Sequence, residues 1–411
     1  MDRTTNKMLV AIAFITAIVC STPILERAVL LAFVSLLIIL YLVGNAGKKA
    51  PFENSKHIFI CFLFIALMFM YNFLGVSDTS LVIYIVPVSF FLIMLMTPYV
   101  PLLLRKRKSW EWLFYAMVIV MLLNVISNIY LCIRYPEINL ASTREYMSEE
   151  MLANLNVGST RFYTFTLFFF DVCFFVFLNC KEKKLKYFML ISSIITAIYI
   201  CVYCLKAAVV LFFLLSIFFL YYSRRNRQSK SFFAVVGISG LLVLLLVMTY
   251  TDEIINFIVA VSPSERITVR LVTLLDADNA AASSVTLTNR TDLYMLSVQT
   301  WLSSPTAFFF GIGDHPTTYD LAATGIGHHS EFLDSLARYG LVGFFMLYFI
   351  LAKSIKNVAR QFDSRYKLQI YVIFFVYILS GFVKGAFLPG VGCVLYLLLP
   401  LTSIVLENEK K

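Results

Sequence analysis

Three of the four histidines in this chain, His315, His328 and His329, fall in one short stretch. They sit in Gly311-Ile-Gly-Asp-His315 and Gly325-Ile-Gly-His-His-Ser-Glu-Phe-Leu-Asp334. Imidazole beside carboxylates suits metal binding or proton transfer. The spacing matches no H-E-x-x-H zinc pattern, and no G-x-S-x-G elbow offers a nucleophilic serine. A single histidine acting as base or orienting group is the reading that fits, with no metal. On a helix beginning near Ser330, Glu331, Asp334, Ser335 and Arg338 share one face. Asp334 and Arg338, four residues apart, are also spaced for a simple structural ion pair. No Walker A loop, Rossmann fingerprint or D-x-D signature occurs, so neither ATP, NAD nor a sugar nucleotide is expected, and no cofactor.

Two lysines stand out by their surroundings. Lys206 lies between Tyr203-Cys204-Leu205 and Ala207-Ala-Val-Val-Leu211, inside almost unbroken apolar sequence. An ionisable group in lipid costs on the order of several kcal/mol unless it is partnered or reaches water, which makes it a candidate functional site. The plainer reading is a lysine snorkelling from a tight turn to the interface. Lys384, in Phe382-Val-Lys-Gly-Ala386, faces the same choice. The eight cysteines lie in or beside apolar runs. Cys201 and Cys204 form a C-x-x-C without the βαβ context of a redox motif, so they read as small apolar residues and no disulfide framework is implied.

The elements that must hold these residues are membrane helices. The chain has 411 residues, 60% hydrophobic and 14% charged, with mean hydropathy +0.83. A soluble domain is about half apolar and about a quarter charged. Apolar runs near 8–22, 28–44, 57–75, 80–98, 110–133, 162–180, 187–204, 207–222, 231–249, 340–353, 367–383 and 389–406 predict an all-α polytopic protein of about twelve transmembrane helices. The first run is followed at once by more hydrophobic sequence, so it reads as a retained helix, not a cleaved signal. The net charge of +10 is clustered, without the basic–aromatic interleaving of a nucleic-acid surface. With the N-terminus cytoplasmic, alternate inner segments hold 24 of the 34 Lys and Arg. Both termini are then cytoplasmic. Arg161, Lys206, Arg290, Arg338 and Lys384 are among the ten cations left on the outer side.

The organisation expected is a membrane bundle over 1–250, with an outer loop at about 134–161, a large outer loop over 251–339, and a second bundle over 340–411. Long loops carry an ordering cost and need a reason. Within the large one, Arg290–Ser303 reads as an amphipathic helix with Leu293, Leu296 and Trp301 on its apolar side. Phe308-Phe-Phe-Gly-Ile-Gly313 reads as a turn after an apolar patch. Ser330 is placed to cap a helix running into the tenth span.

The order Asn289-Arg-Thr-Asp-Leu-Tyr294, Trp301, Pro305, Gly311-Ile-Gly313, then His329-Ser-Glu-Phe-Leu-Asp-Ser-Leu-Ala-Arg-Tyr-Gly-Leu-Val-Gly343 resembles the O-antigen polymerase/ligase family. The motifs cover about 60 residues of an outer loop before the last spans. The family's earlier basic position, usually Ser-Arg before small residues, falls on Lys206-Ala-Ala208. Lysine there lacks the bidentate reach of arginine. Gly158-Ser-Thr-Arg161 resembles another outer basic position. The resemblance implies a glycosyltransferase of a bacterial inner membrane acting on undecaprenyl-diphosphate-linked oligosaccharides, with a chain-length regulator and a flippase as further partners. It further implies that Arg290, Lys206 and Arg161 hold the diphosphate, that His329 serves the acceptor hydroxyl with Arg290 in the catalytic centre, and that Trp301, Tyr294, Glu331 and Asp334 line a sugar groove. Polymerisation of repeat units into O-antigen, capsule or exopolysaccharide is the leading reading. Ligation of glycan to lipid A core is the alternative within the family, and a lipid-linked sugar flippase the rival outside it.

Overall fold

The computed structural model describes residues 55–73, 81–97, 111–134, 160–204, 207–225, 290–313, 325–327, 330–383 and 386–408. They form helices α1 Ser55–Phe73, α2 Leu81–Met96, α3 Glu111–Arg134, α4 Thr160–Asn179, α5 Lys183–Ile198, α6 Ala207–Arg225, α7 Arg290–Leu302, α8 Pro305–Phe310, α9 Glu331–Ala359, α10 Ser364–Val383, α11 Pro389–Gly392 and α12 Leu399–Asn408. A π-helical turn, Tyr199–Cys204, extends α5, and another, Cys393–Leu398, joins α11 to α12. No strand occurs among the described residues.

In hydrocarbon every backbone N–H and C=O needs an internal partner, so apolar runs of this length become helices. Among the described residues, five helices are long and apolar enough to cross a membrane: Glu111–Tyr130, Lys183–Val202, Glu331–Ala359, Ser364–Val383 and Pro389–Leu406. Shorter apolar helices cover Lys56–Tyr71, Thr164–Asn179 and Val209–Arg224. The chain is a membrane protein. Nine of the twelve apolar runs fall on helices. The runs 8–22, 28–44 and 231–249 lie outside the described residues.

Side-chain contacts order the ends. His57 Nε2 lies 3.1 Å from Ser354 Oγ, and the Tyr71 hydroxyl donates to the carbonyl of Phe310, so α1 runs antiparallel to α9. Asn179 Nδ2 donates to Gln369 Oε1 at 2.9 Å, and Gln369 Nε2 to the carbonyl of Leu220 at 3.2 Å. The ends of α4 and α6 therefore meet the start of α10. One end of the bundle, here called lower, carries Lys56, Lys183, Arg225, Lys356 and Arg365. The other, the upper end, carries Tyr71, the starts of α4 and α6, and the α7–α8 unit. Those basic segments that fall within the described residues thus gather at one end.

The core between these helices is aromatic. Phe90 packs against Phe91, Tyr377, Phe387 and Tyr396. Large apolar side chains such as Phe59, Leu123, Ile133, Phe345 and Tyr348 are exposed instead on the outward faces, as lipid-facing side chains are.

Candidate functional site

The upper unit is built around a broken helix. α9 runs from Glu331 to Ala359 but is interrupted at Gly340, where φ is 61° and ψ −168°. A helix end leaves carbonyls without partners. Here the loop after α8 supplies them: Ile312 N–H donates to the Ala337 carbonyl at 2.9 Å and Gly313 N–H to the Arg338 carbonyl at 3.0 Å. The approach is too close for side chains. A Cβ on Gly340 would collide with the backbone of Phe309 to Gly311, and one on Gly311 with the Arg338 carbonyl. Both residues also hold positive φ, which glycine adopts at no steric cost. The G-x-G spacing is therefore a helix-closing device.

Ser330 caps α9, its hydroxyl accepting from Leu333 N–H at 3.3 Å. Asp334 answers reciprocally, Oδ2 accepting from Ser330 N–H at 3.2 Å. Its Oδ1 accepts from Ser297 Oγ on α7 at 2.7 Å, and the same hydroxyl accepts from Gly327 N–H at 3.0 Å. Asp334 is only 4% exposed. This carboxylate joins the α9 cap, α7 and the 325–327 segment. Thr300 Oγ1 ties the same segment to α7 through the Gly325 carbonyl. Gly327 packs so closely on α7 that a Cβ would strike the Leu293 carbonyl.

Glu331 makes the other connection. Oε2 accepts from Ala386 N–H at 3.2 Å, between α10 and α11, while Oε1 lies 3.9 Å from Arg338 Nη1. The loop helices are joined by aromatics. Trp301 stacks on Phe308 with centroids 4.9 Å apart, and its Nε1–H donates to the Phe308 carbonyl at 3.0 Å. Tyr294 is buried within the unit.

Arg290 is the first residue of α7, and Arg161 lies in the first turn of α4. Lys206, His315, His328, His329 and Lys384 lie outside the described residues. Lys206 directly precedes α6, and His329 directly precedes the capped Ser330. Gly327 and Ser330, which flank it, are both held by the Ser297–Asp334 pair. The 325–327 segment packs on α7 at Leu293, in the turn that Arg290 begins. Glu331 and Asp334 also meet in this unit. Trp301, Tyr294 and Asp334 are spent largely on internal packing and hydrogen bonds. Among the described residues no group of three or more His, Cys, Asp or Glu could hold a metal ion.

One residue escaped the sequence reading. Asp171 sits midway along α4 and is fully buried. Ser216 Oγ of α6 donates to its Oδ2 at 3.2 Å, and its Oδ1 has no hydrogen-bond partner among the described residues. α4 and α6 run parallel, so this bond registers the helices whose upper ends carry Arg161 and follow Lys206. The signal was present as a lone acid within Phe168-Phe-Phe-Asp-Val-Cys173, and averaging hydropathy over the run hid it.

Residues 191–348 match the family model described as O-antigen ligase. The match begins in α5, takes in Lys206, Arg290 and His329, and ends in α9 beyond the Gly340 break. It supports the O-antigen polymerase/ligase family for this chain. No curated protein matches the chain.

Proposed function

We propose that the protein polymerises polyprenyl-diphosphate-linked oligosaccharides at the outer face of a bacterial inner membrane. The upper end of the bundle faces outward in this reading and both termini are cytoplasmic. The observation that carries it is the coincidence of the matched segment with the upper unit, where Arg290 opens α7 beside the chain leading into the α9 cap. Polysaccharide-related glycan transfer is what the family match supports. Polymerisation is the finer step proposed here.

The acceptor hydroxyl oxygen attacks the anomeric carbon of the donor. The bond from that carbon to the diphosphate breaks, and its electron pair leaves with the diphosphate. The hydroxyl proton passes to His329 as base. Arg290, Lys206 and Arg161 hold the departing diphosphate, whose growing charge they stabilise by charge-assisted hydrogen bonds. Glu331, Asp334, Trp301 and Tyr294 shape the sugar groove, Asp334 by fixing its wall. A groove of about 660 Å³ between α9 and α10, lined by Phe332, Phe344, Leu347, Tyr348, Ile378 and Phe382, suits the isoprenoid chain. Its upper residue, Phe332, directly follows Glu331.

Transfer of finished glycan to lipid A core is the second reading, favoured by the description of the matching family. Deleting the gene and resolving surface polysaccharide by gel separates them. Loss of polymerisation leaves single repeat units attached. Loss of ligation leaves long unattached chains, and loss of a flippase leaves neither.

A further inference from the structure

We infer that α8 lies in the membrane boundary at the upper end of the bundle, with Phe309 and Phe310 inserted among the acyl chains of that leaflet. The inference comes from depth, and does not rest on the proposed reaction.

The lower boundary is marked by charge. Lys56 directly precedes His57, which meets Ser354, and Lys356 follows two residues later on α9. From His57 to Tyr71, α1 rises by about 21 Å at about 1.5 Å per residue. From Ser354 back to Gly340 the rise is the same, and any tilt shortens both. The hydrocarbon core is about 30 Å thick. Tyr71 is hydrogen-bonded to the Phe310 carbonyl, and Gly340 packs against the backbone of Phe309 to Gly311. Two independent helices thus put α8 no higher than the upper edge of the hydrocarbon.

The side chains agree with that depth. Phe309 is 49% exposed and Phe310 56% exposed, and Leu302 continues the apolar surface. At this level exposure means contact with lipid. The polar end of α8 is Ser303-Ser304-Pro305, with Ser304 Oγ accepting from Ala307 N–H at 3.1 Å. The Trp301 indole beside it is a side chain of the kind that favours the headgroup boundary. The surface therefore takes acyl chains, and it keeps the upper unit pressed to the membrane.

The chain contains three tryptophans, which permits a direct test. Trp110→Phe with Trp112→Phe leaves Trp301, stacked on Phe308, as the sole emitter. The protein is reconstituted in phosphatidylcholine vesicles brominated either near the headgroup or near the chain terminus. Trp301 should lose most of its emission to bromine near the headgroup and less to bromine near the terminus. Adding Phe309→Ser and Phe310→Ser should relieve the loss. Emission unaffected by either bromolipid but quenched by aqueous iodide would overturn the inference. So would quenching that persists unchanged in the serine variant.

Discussion

Ile312 donates its backbone N–H to the carbonyl of Ala337 at 2.9 Å, so a turn of the loop closes the broken end of a helix. Gly313 does the same for Arg338. The contact requires the chain to break at Gly340 and to turn at Gly311, and neither position has room for a Cβ. Gly340→Ala should destabilise the upper unit by about 1–3 kcal/mol, since it adds a collision to an unfavourable φ. The protein should still insert, because the helices below are untouched. The check is thermal unfolding with hydrogen exchange over 305–313, where protection should fall. Val342→Ala, on an exposed face two residues on, should change little.

Asp334 and Ser297 should behave as one unit. Asp334→Ala removes the acceptor of the Ser330 amide and of the Ser297 hydroxyl, at about 1–3 kcal/mol. Ser297→Ala should cost less, because Asp334 keeps the Ser330 amide. In a double-mutant cycle the pair should couple by about 0.5–3 kcal/mol. Simple additivity would mean that the bridge between α7 and the α9 cap contributes nothing.

Much of this unit could be read in advance. α7 ends one residue short of the amphipathic stretch expected, and Ser330 is the cap expected of it. Phe308–Phe310, expected as a turn, is helix. Its start signal was Ser304 followed by Pro305, an N-cap with proline at the first helical position. The Gly340 break had no local signal, because its partners are the amides of Ile312 and Gly313, more than twenty residues earlier in the chain. Glu331, Asp334 and Arg338 do gather on one face. What periodicity could not give is that Glu331 also reaches Ala386 beyond the following helix. Asp171 was lost for a related reason: its partner, Ser216, is 45 residues away.

Asp171 is in an apolar interior and, among the described residues, accepts one hydrogen bond, from Ser216. Asp171→Asn keeps the acceptor and should preserve stability and product. Asp171→Leu and Ser216→Ala remove the bond and should each cost about 0.6–1.7 kcal/mol, the range of interhelical bonds in membranes. Unfolding in mixed detergent measures the difference. If Asn proves as damaging as Leu, the carboxylate itself is needed and the registering role fails.

His329→Ala should abolish long-chain glycan while leaving the protein inserted, and normal chain lengths in that variant would exclude His329 as the acceptor's base. Arg290→Ala should lower turnover by about 10²–10³, the range for losing one donor to a developing oxyanion. Arg290→Lys should recover only part of it, because an ammonium cannot grip a diphosphate with two parallel bonds. His329 lies between two residues anchored through Asp334, so Asp334→Ala should reproduce part of the His329→Ala phenotype. The two defects differ in kind. Asp334→Ala should leave residual long chains that increase as temperature is lowered and the cap re-forms, and His329→Ala should give none at any temperature. Chain-length gels across a temperature series distinguish a displaced base from a missing one, because only a displaced base can return to its place.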